Sequence, residues 1–424
     1  MAPPITHTDV SPSRKIAEEA RDHLLNEIVP FWFPQAVDRP RGGFYTCYDN
    51  RGRFVSDEKY TWSQGRFVAI CAQLAQAARQ GVLELDAETM IADARRGARF
   101  LRDHAVRSDL TTVYHLDGDG LPISSDGDSL YADCFAIIGF AGLATATGEA
   151  EWYELADRMV TAAWRTAAQA VVPTAPYQMP PRAEVLGVHM ILLNVELDLA
   201  KARKAVGLPE DSTRLVRAVR GLSSMARPDG GFDEVHAEGY GPDTLLGSHR
   251  TPGHALEGLW MLAETDLPET PPVGQLVAWA NGLCALGWDD EFGGLLRYVD
   301  GVRGGEPKGR RTGLAYEDLV SSTWDTKLWW VHSEGCWTST LLAEMSGDPQ
   351  LAEWRDRLWE YTTRVFPAGE DGREWIQIRD RRGDPLDKTV ALPLKDPYHV
   401  TRNLLQLIRL AHPAGHGIAQ ETTP

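Results

Sequence analysis

Two histidines stand in matching surroundings, in Thr251-Pro252-Gly253-His254 and in Asp396-Pro397-Tyr398-His399. Each string offers a Thr or Asp suited to cap a helix, a Pro suited to its first position, and a His two positions later. An imidazole there meets the positive end of the peptide dipoles, which disfavours its protonated form. Both rings are therefore expected to be neutral near pH 7 and able to accept a proton. Facing one cavity from two sides, they would suit a two-base proton transfer at carbon. The same strings also describe two solvated helix ends that happen to carry His.

Lys59, Trp62 and Arg66 fall at i, i+3 and i+7, and Lys327, Trp330 and Glu334 repeat that spacing beside Trp329 and His332. On a helix these residues share one face. Charges are seldom buried unpaired, so such a face suits a polar pocket in which indole stacks on a sugar ring and charges bind its hydroxyls. The alternative is a Lys–Glu surface face with Trp turned into the core. His254 and Glu257 lie at i, i+3 and could be half of a metal site. No matching second pair and no HExxH occurs, so no metal is expected. His189 opens an otherwise apolar run, 190–195, and shares a side with Leu193 and Glu196. It suits either a satisfied core group or a site residue. GxGxxG, P-loop and GxSxG motifs are absent, which leaves dinucleotide, phosphoryl and Ser-hydrolase chemistry without local support.

Bringing such residues together requires a repeating frame, and the chain has one. A phrase of Gly or polar pair, aromatic or aliphatic run and acidic turn recurs at 42–52, 113–120, 230–233, 293–301 and 374–383, with a weaker Pro-rich copy at 172–181. Each copy reads as a short hairpin or extended loop. Between them helical periodicity covers 11–31, 57–78, 86–104, 128–147, 149–168, 183–206, 211–227, 251–264, 273–286, 321–345, 349–365 and 396–412. Twelve helices with six loops are six helical hairpins, which predicts an all-α (α/α)6 barrel with β-hairpin-like loops at one end. The expected division is a disordered arm over 1–10, one catalytic barrel over 11–412 and a flexible tail over 413–424.

The 424 residues carry 43 Lys+Arg against 60 Asp+Glu, a net charge of −17. That balance argues against nucleic acid and anionic membrane surfaces as partners. No basic and apolar leader opens the chain, and no stretch of 18 apolar residues suggests a membrane span. The 5 cysteines are scattered singly, as suits reduced thiols and a cytoplasmic location. Trp is unusually frequent, 14 against 12 Tyr and 11 Phe.

The strings Gly42-Gly43-Phe44-Tyr45-Thr46-Cys47, Lys59-Tyr60-Thr61-Trp62-Ser63-Gln64-Gly65-Arg66 and Pro252-Gly253-His254-Ala255-Leu256-Glu257 resemble the N-acyl-D-glucosamine 2-epimerase family. So do Lys327-Leu328-Trp329-Trp330-Val331-His332-Ser333-Glu334, Arg373-Glu374-Trp375 and Lys395-Asp396-Pro397-Tyr398-His399-Val400-Thr401-Arg402, in family order from about Phe31 to Leu410. The resemblance implies an (α/α)6 barrel and a cofactor-free sugar 2-epimerase or aldose–ketose isomerase. It also implies that Arg66, His254, Glu257, Glu334, His399 and Arg402 line the site, with the two His as acid/base pair. A homodimer is a family-like expectation. In the mid-chain helix the isomerase and cellobiose or mannose epimerase branches resemble His-Met-His-x-x-Glu. Here the string is His189-Met190-Ile191-Leu192-Leu193-Asn194, which is similar to the N-acylglucosamine branch in its apolar run and closing Asn. The expected substrate is therefore a small sugar of the N-acylglucosamine/N-acylmannosamine type. The alternatives are hexose epimerisation, mannose–fructose isomerisation and, from another class, a glycoside hydrolase or lyase on the same barrel.

Overall fold

A computed structural model describes residues 12–33, 35–123, 127–228, 230–368, 374–387 and 394–412. The expected arm 1–10, the Ser cap at residue 11, Arg373 and the tail 413–424 lie outside them.

Twelve long helices follow the expected segments: α1 (Pro12–His23), α2 (Thr61–Arg79), α3 (Ala87–Phe100), α4 (Leu130–Thr147), α5 (Ala150–Ala167) and α6 (Leu186–Ala205). Then come α7 (Thr213–Ser224), α8 (Pro252–Ala263), α9 (Val273–Gly287), α10 (Trp329–Ser346), α11 (Pro349–Val365) and α12 (Tyr398–Leu410). The even-numbered helices form a ring. α2 packs on α4, α4 on α6, α6 on α8, α8 on α10, α10 on α12, and α12 returns to α2. Each odd-numbered helix backs one member of the ring, with α1 covering α12, so the first and last helices close the barrel. This is the (α/α)6 architecture.

Composition follows position. Outer α3 buries one side, through Met90, Ile91, Ala94, Gly97, Ala98 and Phe100, as the helical period requires. Inner α4 is apolar nearly all round. By length and hydropathy it could cross a membrane, a stretch the reading of the sequence passed over, but it is mostly buried in the ring. Small residues let inner backbones touch. A Cβ on Gly65 would stand 2.1 Å from the carbonyl oxygen of Phe135, and one on Gly139 would stand 2.8 Å from that of Gly65. α2 and α4 therefore meet main chain to main chain, which sets Arg66 beside Phe135.

The loops act as staples between successive hairpins. Residues just before an inner helix are extended and pair with the loop that follows the next outer helix. The pairs are Lys59–Tyr60 with His115–Leu116, Glu184–Val185 with Val235–His236, His249–Arg250 with Val299–Asp300, and Lys327–Leu328 with Ile378–Arg379. Ser129 bridges Thr174 in the same way, which gives the weak copy at 172–181 its place. The N–H of Lys395 donates to the carbonyl of Thr46 and completes the circuit. The copy at 42–52 closes on itself, Cys47–Tyr48 pairing with Phe54–Ser56, and those at 113–120 and 374–383 also fold back, Leu116 bridging Pro122 and Arg379 bridging Pro385. The copies at 113–120 and 374–383 are thus small hairpins, as expected, that also pair with the extended segment before an inner helix. One consequence is that Lys59 and Lys327 are on strands. The helices expected to begin at 57 and 321 begin at Thr61 and Trp329, and a separate short helix, Ala315–Thr323, precedes the latter.

Candidate active site

The inner-helix N-termini and the loops surround a cavity of about 260 Å³. All six inner helices reach it: Trp62 and Arg66 from α2, Phe135 from α4, Asn194 from α6, His254 and Glu257 from α8, Trp329 and Trp330 from α10, and His399 from α12.

His254 sits where the sequence places it, with Pro252 first in its helix and the His third. His399 comes one position earlier in α12, after an Asp396 whose carboxylate accepts from the N–H of Tyr398 at 3.1 Å. Both imidazoles contact one indole. Trp330 lies 5.3 Å from the ring of His254 and 5.4 Å from that of His399, centroid to centroid. Gly253 permits this, because a Cβ there would press on the Trp330 ring at 2.9 Å.

The two rings have opposite environments. Nε2 of His399 faces the guanidinium of Arg66 at 3.1 Å, and Arg can only donate. Nε2 is therefore the acceptor nitrogen and Nδ1 carries the hydrogen, donated to Glu334 at 2.7 Å. Burial, reinforced by Arg66 and Arg402 and only partly opposed by Glu257, pushes His399 down to about 3. His254 directs Nδ1 to the carboxylate of Glu234 at 2.9 Å. Burial pulls its pKa down, but Glu234 and Glu257 outweigh that and the net shift is upward. The two rings therefore shift in opposite directions: His399 stays neutral as expected, while the carboxylates beside His254 raise its proton affinity. The Glu234 carboxylate, though buried, is held low by His254 and His249.

Beneath them runs a buried ionic network. Arg402 donates to Glu257 at 2.8 Å, to Glu334 and to the Tyr398 hydroxyl at 3.1 Å. Glu334 also accepts from Trp260 at 2.8 Å. Asn194 donates to Tyr398 at 3.2 Å. Arg66 pairs with Asp396 at 3.2 Å and lies over the rings of Phe135 and Trp62, 4.1 and 4.7 Å from their centres. Glu257, Glu334 and His399 are close enough together to ligate a cation. Arg402 already donates to both carboxylates, so a divalent ion would have to sit against a guanidinium.

Of the residues expected to bind substrate, Trp62, Arg66, Asn194, Glu257 and Trp330 line the cavity, while Glu334 and Arg402 support it from behind. Lys59, Lys327 and His189 do not line it. Lys59 is fully buried, donating to Asp38 at 2.9 Å and to the Gly118 carbonyl at 2.6 Å. Lys327 does the same with Asp289 at 3.0 Å and the carbonyls of Gly293 and Gly294. On an extended segment the side chain before a helix turns into the staple, not along the helix face. His189 lies against Gly221 of α7 and 3.8 Å from Glu184, outside the cavity. His332 is structural: Nε2 accepts from the N–H of Leu295 at 2.8 Å and Nδ1 donates to the Leu328 carbonyl at 2.7 Å.

Glu234, Tyr298 and Gln377 escaped the reading of the sequence, although each lines the cavity. Each directly precedes a loop strand of the staple pattern. The signal was positional within the repeat, not local.

The family model for N-acylglucosamine 2-epimerase matches residues 42–402. The chain belongs to the N-acylglucosamine 2-epimerase family. Human N-acylglucosamine 2-epimerase is 28% identical over 420 residues, covering 93% of this chain and 92% of that one. Among solved structures, a sugar epimerase from a ruminal bacterium superposes with a TM-score of 0.73 at 18% identity, over 94% of this chain and 99% of its own. A D-mannose isomerase superposes with a TM-score of 0.68 at 15% identity, over 97% and 100% of the two chains.

Proposed function

We propose that this family member is a sugar 2-epimerase acting on N-acyl-D-glucosamine and N-acyl-D-mannosamine by two-histidine proton transfer, using protein side chains alone. One observation carries the reading: two imidazoles share one cavity and their surroundings drive their proton affinities apart. Groups separated in this way divide into base and acid.

His399, neutral with its lone pair on Nε2, takes the C2 proton of the open-chain sugar. The electrons move toward O1, giving an enediolate-like intermediate. Arg66, adjacent to that nitrogen, stabilises the developing oxyanion, an effect that often dominates such reactions. His254, whose proton affinity Glu234 raises, acts as the acid and returns a proton to C2 on the opposite face. The rings have then exchanged protonation states and are set for the reverse direction until they re-equilibrate with solvent. Trp62 and Trp329 offer indole N–H groups that have no partner among the described residues, suited to sugar hydroxyls.

The test is turnover in deuterium oxide with no added cofactor or metal. N-acetylglucosamine and N-acetylmannosamine should interconvert with solvent deuterium entering C2. Interconversion with C2 unlabelled contradicts the mechanism. Mannose converted to fructose, with the label at C1, would assign a one-base isomerase instead.

A further inference from the structure

Arg297 lies in the cavity wall, on the loop between α9 and the short helix Ala315–Thr323. It is 6% exposed. Its guanidinium rests over the ring of Tyr298, 5.0 Å from the centre, and its buried Nη1 has no hydrogen-bond partner among the described residues. The other guanidiniums of the site are engaged, Arg66 by Asp396 and His399, Arg402 by Glu257, Glu334 and Tyr398. A buried charged donor left unsatisfied is costly, so the missing acceptor is expected from a ligand.

The surroundings restrict what that acceptor is. Tyr316 contacts Tyr298 at 6.1 Å and Tyr177 at 5.8 Å between ring centres. Leu319, one helical turn beyond Tyr316, also faces the cavity. One strong donor beside an apolar recess suits a carbonyl oxygen carrying a small alkyl group. Charge balance points the same way. The carboxylates of Glu234, Glu257, Glu334 and Asp396 already outnumber the guanidiniums of Arg66, Arg402 and Arg297, so no further anion is required. Arg297 and His254 line the same cavity.

We propose that Arg297 is a specificity-determining residue that donates to the carbonyl oxygen of the C2 N-acyl group while Tyr177, Tyr316 and Leu319 enclose its methyl. The proposal rests on the epimerase reading above and names the group that selects the substrate.

Calorimetry with N-acetyl-D-glucosaminitol and D-glucitol, open-chain alditols that cannot react, tests it on the full chain. The wild type should prefer the acylated alditol by roughly 10- to 100-fold, the range of one hydrogen bond to a charged group. Arg297→Met should bring that ratio close to one, and Arg297→Lys should restore part of it. A ratio unchanged in both variants overturns the proposal. So does an equal loss of both ligands in Arg297→Lys with its melting temperature intact, or a preference for D-gluconate that Arg297→Met removes. If Arg297→Met does not fold, the Arg297→Lys ratio decides: below the wild-type ratio it supports the assignment, equal to it, it overturns it. Deuterium uptake at C2 by the wild type separates the two readings. No uptake with any sugar defeats the epimerase reading whatever the binding ratio shows, and uptake with an unaltered ratio defeats only the role of Arg297.

Discussion

The guanidinium of Arg66 donates across 3.1 Å to Nε2 of His399, the nitrogen lone pair that would act as base. The lone pair and the guanidinium therefore occupy each other. In the proposed reaction the sugar inserts its C1–C2 edge between them, which brings the C2 proton to Nε2 and O1 to Arg66.

Replacing Arg66 should therefore damage chemistry more than binding. Loss of one oxyanion donor costs about 10²–10³ in kcat. Arg66→Met should lose at least that in both epimerisation and C2 deuterium uptake, measured by proton NMR. It should also raise the pKa of His399, readable as a shift of its ring resonances with pH, because a repelling cation is gone.

Glu234 sets the proton affinity of His254. In the direction that needs the His254 imidazolium, kcat/KM falls as pH rises through the raised pKa. Glu234→Gln removes the carboxylate that raises it, so that alkaline limb should move to lower pH. A pH profile of kcat/KM for each sugar measures this. An unmoved limb would show that Glu234 does not control the acid.

The lysines of the staples should behave as structural groups. Stripping one partner from a buried ion pair costs about 3–5 kcal/mol. Lys59→Ala and Lys327→Ala should each lower the melting temperature markedly, while KM of the folded fraction at low temperature stays within about threefold of wild type. A large KM effect in a stable Lys59→Ala protein would return that residue to the substrate.

His332 should make the fold acid-sensitive. Burial depresses its pKa to about 3, with Lys327 adding to the effect, while the unfolded chain titrates near 6.5. The unfolded state therefore binds the extra proton first, and stability drops as pH falls below about 6.5, continuing toward 3. The slope is about 1.4 kcal/mol per pH unit for one such group. His399 adds a similar contribution. His332→Gln, which can still accept from Leu295 and donate to Leu328, should flatten the acid limb of melting temperature against pH.

Gly65→Ala should disrupt the contact that positions Arg66, since its Cβ would meet the Phe135 carbonyl carbon at 2.4 Å. A destabilisation of about 1–3 kcal/mol or more is expected. Urea unfolding should show it, with activity falling in parallel.

The sequence by itself determined the frame. Helical periodicity and Gly-rich loops recur along the chain, so local propensity already contains twelve helices and their repeat. It also marked His254, His399, Trp62, Arg66 and Trp330, whose types and neighbours are informative within one turn of helix. Tertiary structure decided how the charges pair. Glu234 reaches His254 from another repeat, Glu334 reaches both His399 and Arg402 from a neighbouring inner helix, Glu257 reaches Arg402 from a third, and Asp38 neutralises Lys59 from across a loop. Spacing along a chain reports which side chains share a face of one helix. Proton affinity depends on distances of about 3 Å between elements that only ring closure brings together. That is why Lys59 and Lys327 read as ligands and are struts, and why His254 and His399, which read alike, have proton affinities shifted in opposite directions.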